Sequence, residues 1–347
     1  MKKVMTKRVI QRHCSMKYLL LFICMVLVFV SFGEVFASSL NVAAPTQFVK
    51  RADFNGDGKS DILWQHISTG QVVIWLMDNT TIKTGGSPAT ISDLSWQVKG
   101  VGDFNGDGKS DILWYNKTNG YVAVWLINGD TITGGGFPAI IPDLNWHIKA
   151  VTDFNGDGKS DILWYNTVSG SVAIWIMNGN TIASVGFPAN VGDINWQIKT
   201  TGDFDGDGKA DILWQNTVSG QLLVWLMNGT TISSSGSPGT LSSEWRVIDT
   251  GDFDGNHKDD ILWQNTASGY VAIWFMNGAT VASAGVVSMV ATPWLAKGVR
   301  DFSGDGKSDI LWYNISDGQV VIWLMNGSTV TGSGIAATIT SQWDIKY

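Results

Sequence analysis

An all-β chain, closed into a propeller of six four-stranded blades with calcium-binding loops, is predicted from three features of the sequence. A phrase of the type DFNGDGKSDILW recurs six times at a nearly constant spacing, and four short apolar runs separated by turn signals fill each repeat. The two ends of the chain are complementary fragments of one repeat.

The repeats begin at Asp53, Asp103, Asp153, Asp203, Asp252 and Asp301, at spacings of 50, 50, 50, 49 and 49 residues. Residues 46–347 belong to this array, which leaves no separate domain in that stretch. In the third copy "DILWYN" is followed by a turn at "TVSG", then by "SVAIWIMN", then by an Asn-Gly pair, then by "TIASVGFP". After a loop, "NWQIKTTGDF" leads into the next acidic phrase. Runs of Val, Ile, Leu, Trp and Thr bounded by Gly and Asn are strand signals, and Asn-Gly between such runs predicts a tight hairpin. The pair starts at Asn128, Asn178, Asn228, Asn277 and Asn326, whereas the first copy has Asp78-Asn79. Four strands in about 50 residues is the length of a propeller blade; calcium-binding β-helices repeat every nine or so residues and leucine-rich repeats every 20 to 29.

The run Val172–Met177 is apolar without alternation. A sheet covered on both faces reads this way, so the blades should pack face to face. Closure follows from the ends. A Trp stands seven residues before the first Asp of the phrase, as Trp96 does before Asp103, and joining Tyr347 to Arg51 would give "WDIKYRADFNGDG" with the same offset. A ring with both ends in one blade leaves no sheet edge exposed; an open solenoid is the alternative.

Residues 1–37 read as a signal peptide, followed by a short segment, 38–45. Lys2, Lys3, Lys7, Arg8, Arg12 and Lys17 precede an apolar run from Tyr18 to Phe32, shorter than the roughly 20 residues of a membrane span. Val35 and Ala37 fit a small-residue cleavage site. A secreted or cell-surface location is therefore expected, with the periplasm as a further option, and no membrane insertion after cleavage. An uncleaved anchor is the competing reading. Both cysteines, Cys14 and Cys24, fall in the leader, so no disulfide staples the rest.

Removing the leader takes away its six basic residues and Glu34, leaving 17 Lys+Arg against 29 Asp+Glu, a net charge of −12. Such a charge disfavours nucleic acid and anionic lipid as partners. Twenty of the 29 carboxylates lie inside the six nine-residue phrases, and charge so concentrated requires a counter-ion.

Positions 1, 3, 5 and 9 of the phrase offer side-chain oxygens, and position 7 offers the carbonyl of a lysine. The candidate metal ligands are Asp53, Asn55, Asp57, Lys59 and Asp61; Asp103, Asn105, Asp107, Lys109 and Asp111; Asp153, Asn155, Asp157, Lys159 and Asp161. The later copies supply Asp203, Asp205, Asp207, Lys209 and Asp211; Asp252, Asp254, Asn256, Lys258 and Asp260; and Asp301, Ser303, Asp305, Lys307 and Asp309. All are hard oxygen donors, which favours Ca²⁺, up to six ions, over zinc or copper. A polar turn without metal is the competing reading. His257 replaces a turn glycine and should strain its loop, and Ser303 is a poorer donor than Asn or Asp. Copy five or copy six is thus expected to bind most weakly.

On the strength of "DFNGDGKSDILW", the units resemble the FG-GAP or VCBS repeats of bacterial exported proteins, which are related to the β-propeller of integrin α chains. The likeness covers about 300 residues. It departs from the integrin type in unit length, in having six units and not seven, and in lacking a clean Phe-Gly and Gly-Ala-Pro pair. "GFPA" at Gly136 and Gly186 is the nearest echo. The resemblance implies calcium binding and a role in adhesion or recognition.

Eighteen tryptophans fall three to a unit. Trp64 and Trp75 and their equivalents lie within strands and read as core. Trp96, Trp146, Trp196, Trp245, Trp294 and Trp343 follow loops and are the better candidates for stacking on sugar rings. Outside the leader there are three histidines (His66, His147, His257) at unrelated phases and one glutamate, Glu244. No G-x-S-x-G or H-E-x-x-H motif is present. Asp93, Asp143 and Asp193 recur at one phase and read as turn or capping residues. The reading is a non-enzymatic binding or adhesion module for carbohydrate, with glycans or a cell-surface protein as partner. A polysaccharide-acting enzyme and a purely structural surface protein are its rivals.

Overall fold

A computed structural model of the chain describes residues 52–290 and 292–346, and every helix or strand among them is a strand. The leader and the segment 38–45 lie outside the described residues. The strands form six antiparallel four-stranded sheets arranged as the blades of a closed propeller. In the second blade the strands Trp96–Gly102, Asp111–Asn116, Tyr121–Asn128 and Thr131–Ile140 lie side by side in chain order. The first of these is the inner strand, and the inner strands of neighbouring blades abut around the axis. The acidic phrase therefore connects the first and second strands of a blade.

The first blade is built from both ends of the chain. Trp343–Lys346 is its inner strand and pairs with Ile62–His66, with Trp64 opposite Ile345 and His66 opposite Trp343. The expected ring closure is thus made by a ladder of backbone hydrogen bonds, and the edge is removed.

Six apolar clusters lie at the six boundaries between blades, as the unbroken apolar runs require. Between the first and second blades, Phe54, Leu63, Val72 and Ile74 meet Ile112, Trp114, Ala123 and Ile127. Alternation along the strand directs Leu63 to this boundary, while Ile62 and Trp64 face the sixth blade. One strand thus serves two interfaces.

The hairpins are present, with one correction. Asn128 pairs with Thr131 and closes a two-residue loop, so its central residues are Gly129 and Asp130, not Asn-Gly. Only the glycine has positive φ, +65°, the pattern of a type II′ turn. In the first blade Asn79 takes that place at φ +56°. A second irregularity recurs in the inner strands. Val98 pairs with Trp114 and Gly100 with Leu113, so Lys99 is left over as a β-bulge. Lys149, Lys199, Ile248 and Lys297 occupy the same position in blades three to six.

Candidate metal centre

Each acidic loop folds around its first aspartate. One carboxylate oxygen of Asp103 accepts from the amide of Gly106 and the other from Gly108, both at 2.7 Å. The same pair of bonds recurs at Asp53, Asp153, Asp203, Asp252 and Asp301, with distances of 2.6–2.9 Å. The turn needs positive φ at both donors: Gly106 has +78° and Gly108 +80°. In the fifth copy His257 adopts φ +67° and still donates to Asp252 at 2.7 Å. The expected strain is real and backbone-borne.

Positions 3 and 5 form successive Asx turns. Asn105 Oδ1 accepts from the amide of Asp107, and Asp107 Oδ1 from that of Lys109, each at 2.9 Å. Asn55 with Asp57, Asn155 with Asp157, Asp205 with Asp207 and Asp254 with Asn256 repeat the first bond at 2.8–3.3 Å. Position 5 repeats the second at Asp57, Asp157, Asp207, Asn256 and Asp305. At Ser303 the hydroxyl instead approaches Asp301 at 3.4 Å.

The last aspartate has a role that sequence reasoning missed. Asp61, Asp111, Asp161, Asp211, Asp260 and Asp309 are buried. Oδ2 of each accepts from the amide of the phrase's phenylalanine, and Oδ1 from an amide in the third strand, all at 2.8–3.0 Å. It clamps loop to sheet.

Burial dominates the electrostatics. It pushes Asp61, Asp111, Asp161 and Asp309 up to about 7, and Asp211 and Asp260 to about 8, with neighbouring aspartates adding to the rise. Asp203 is raised to about 7 by burial and by Asp259. Asp53, Asp103, Asp153 and Asp252 are also raised, chiefly by burial. A cation among these oxygens would reverse the penalty. The geometry accommodates one. One oxygen from each of Asp203, Asp205 and Asp211 lies within 4.8 Å of the others, as do those of Asp252, Asp254 and Asp260. Oxygens at the 2.3–2.6 Å typical of calcium ligands span up to about 5 Å across the ion. Each carboxylate oxygen that accepts one amide keeps a second lone pair. The residues present fit a hard divalent cation.

The loops also join the blades. The amide at position 8 of one loop donates to the carbonyl of position 1 in the preceding blade: Ser110 to Asp53 at 2.7 Å, Ser160 to Asp103 at 2.5 Å, Ala210 to Asp153 at 2.8 Å, Asp259 to Asp203 and Ser308 to Asp252 at 2.6 Å. The position-7 lysines were expected to offer their carbonyls. Their side chains have a further use, reaching the hairpin of their own blade in Lys59–Asp78, Lys159–Asn178, Lys258–Asn277 and Lys307–Asn326. All six position-7 lysines also pack their stems over the first glycine of the preceding loop, as Lys109 does over Gly56, and Lys209 bonds Asp207 at 3.2 Å.

Among the tryptophans, the Trp64 series is fully buried and lies 4.7–5.0 Å, centroid to centroid, from the Trp75 series. The Trp96 series is only half-buried. Asp93, Asp143 and Asp193 bond to Asn116, Asn166 and Asn216 and cap the turns before the inner strands, as their phase suggested.

Comparison with solved structures supports the fold. One chain of a crystal structure of a nidogen/laminin complex is similar at a TM-score of 0.54 and 12% identity, over 82% of this chain and 96% of that one. A chain of the Photorhabdus luminescens Tc holotoxin pore is similar at a TM-score of 0.50 and 15% identity, over 76% of this chain but 13% of that one. No curated protein sequence matches the chain. The family model described as FG-GAP-like repeat matches residues 53–114, 153–214 and 203–263, the stretches that carry the acidic loops and the strands they join. The chain belongs to the FG-GAP-like repeat family.

Proposed function

We propose that this protein is an exported, calcium-stabilised propeller that serves as a binding and adhesion module, without catalytic activity, and that its ligands are carbohydrates on cell surfaces or in the surrounding matrix. A propeller of FG-GAP-like repeats fits a binding or structural module. The observation that carries the calcium reading is the coincidence of an all-oxygen cage with the bonds between blades. The loop that would hold the ion through positions 1, 3, 5, 7 and 9 is the loop whose backbone joins one blade to the next. Bound calcium would supply positive charge where buried carboxylates repel one another, and so rigidify the ring. Copy six, with Ser303 in place of a carboxylate or amide, is its weakest site. The leader supports export, and calcium at the millimolar levels found outside cells suits modules that bind at about 10⁻⁴ to 10⁻³ M. The half-buried Trp96 series supports sugar stacking.

The test is a melting curve with calcium and with chelator, run beside a glycan array under both conditions. A higher melting temperature in calcium and calcium-dependent glycan binding are expected. Equal melting in both conditions would overturn the metal reading. An array without signal would favour a structural protein, and release of sugar products would favour an enzyme.

A further inference from the structure

We propose that the mouth of the central channel, on the tryptophan side of the ring, binds acidic glycans, sugars that carry carboxylate or sulfate groups. This rests on the carbohydrate reading above and adds the ligand's charge.

The cations of this acidic chain are sharply partitioned. Of the 15 Lys and Arg among the described residues, six are the loop lysines and seven stand on the inner strands: Arg300, which ends the sixth blade's strand and is paired with Asp249, and six at the second or fourth position, Lys99, Lys149, Lys199, Arg246, Lys297 and Lys346. Each blade supplies one of these six. In four blades the lysine is the extra residue of the β-bulge, a device that re-aims a side chain out of the ladder. In the fifth blade Ile248 holds the bulge, and Arg246 stands two residues before it.

The cluster is self-repelling. Burial lowers Lys99, and the charges of Lys346 and Lys117 lower it further; burial and then Lys199 lower Lys149. At the second and fourth positions of the six inner strands the only carboxylate is Asp344, bonded to Lys346 at 2.7 Å. Asp249, one residue farther along, is bonded to Arg300 at 2.9 Å. Anionic groups on a ligand would offset the remaining repulsion.

Two equivalent grooves connect this ring to the half-buried tryptophans. One, of about 560 Å³, is lined by Lys199, Arg246, Trp245 and Gln215. The other, of about 360 Å³ and three blades away, is lined by Lys346, Gln97, Trp96 and Lys117, and by Asp344, which is bonded to Lys346. Both lie in the size range of ligand sites. An indole face beside ammonium or guanidinium groups suits a sugar ring that bears an oxyanion. Nucleic acid fits less well, because its closely spaced phosphates need a continuous basic track, and these cations are confined to the channel mouth and its grooves.

The full chain would be titrated at constant calcium with oligogalacturonate, sulfated dextran, neutral dextran, single-stranded DNA and inorganic sulfate, at low and high salt. Either or both acidic glycans should bind, identifying the carboxylate or sulfate source, with affinity falling steeply as salt rises. Lys199→Gln with Arg246→Gln should weaken binding about tenfold. Ile248→Lys should tighten it about threefold by adding a charge at the one bulge position that lacks it. That gain keeps the test valid if the double variant folds poorly. Binding of neutral dextran with no response to these substitutions would overturn the acidic-ligand proposal and leave carbohydrate binding standing. DNA bound as tightly as the glycans, or inorganic sulfate alone saturating the site, would overturn it in favour of unselective anion binding. Absence of any binding would remove both readings.

Discussion

The amide of Ser60 donates to the carbonyl of Asp301 at 2.8 Å, and this bond joins the first acidic loop to the last. With its five equivalents it completes a circle of hydrogen bonds around the ring, running through every candidate metal loop. The loops are therefore the place where local chemistry becomes global stability. Anything that orders one loop also orders the boundary between two blades.

The sixth loop is where this coupling is most easily strengthened. Ser303 supplies a hydroxyl where the other copies supply an amide or a carboxylate. Ser303→Asp is expected to raise the melting temperature in calcium and to lower it in chelator, where the new charge is uncompensated. At calcium ten times above the dissociation constant, one recovered site contributes about 1.4 kcal/mol. Scanning calorimetry under both conditions measures the difference, and a substitution that acts with the same sign in each would separate the loop from metal binding.

Protonation should stand in for the metal when calcium is removed. The position-9 aspartates have folded-state values near 7 to 8, above their ordinary 3.8. Between those limits the folded state holds protons that the unfolded chain has released, so stability falls as pH rises. Their stabilising contribution is full below about pH 4 and is lost as pH passes through 7 to 8. In chelator the protein should therefore melt higher at pH 5.5 than at pH 8. Calcium should flatten that slope by keeping the carboxylates ionised and paired. Melting curves across this window, with and without the ion, provide the check.

Much of this architecture was legible in the sequence because it is repeated. The phase of the Trp before each phrase gave the blade count and the closure, and unbroken apolar runs such as Val172–Met177 gave the packing of blade on blade. What escaped was the use of groups that look like ligands for non-local hydrogen bonds. Asp61 reaches the amides of Phe54 and Met77, seven and sixteen residues away, and no local rule connects them. The lysine at position 7 always has Asn or Asp nineteen residues later, from Lys59 and Asp78 to Lys307 and Asn326. That constant offset was the available signal for the loop-to-hairpin bridge. The inner-strand lysines carried a similar signal, three residues after the inner-strand Trp in five of six blades, four of them at the bulge. A single period-2 reading of the strand conceals it, since a bulge breaks that period.

His257 allows the strain in the fifth loop to be measured directly. It holds φ +67° where four other copies with glycine hold +80° to +85° and the first +83°. An L-residue in this region costs roughly 1–2 kcal/mol, partly offset by the greater unfolded-state freedom of glycine. Space does not limit the residue, since a Cβ at the equivalent Gly108, Gly158, Gly208 or Gly306 would meet nothing within 4 Å. His257→Gly should thus stabilise the protein by up to about 1 kcal/mol, read as a higher denaturation midpoint at unchanged slope.

The two classes of tryptophan should separate in a paired substitution. Trp164 is 1% exposed and packed between the second and third blades, so Trp164→Ala is expected to cost about 3–5 kcal/mol by leaving a cavity. Trp146 begins the inner strand of the third blade, is half-buried, and lies 6.5 Å from the exposed Phe187. Trp146→Ala should cost about 1–2 kcal/mol, in keeping with the smaller area it removes from water. If the channel mouth binds sugar, Trp245→Ala, the equivalent change in one of the two grooves, should also weaken glycan binding, whereas a milder core change such as Trp164→Phe should leave the affinity of the folded fraction unchanged. Denaturant titrations give the two energies and glycan titrations the second contrast; equal loss of affinity from both would assign the Trp96 series to packing alone.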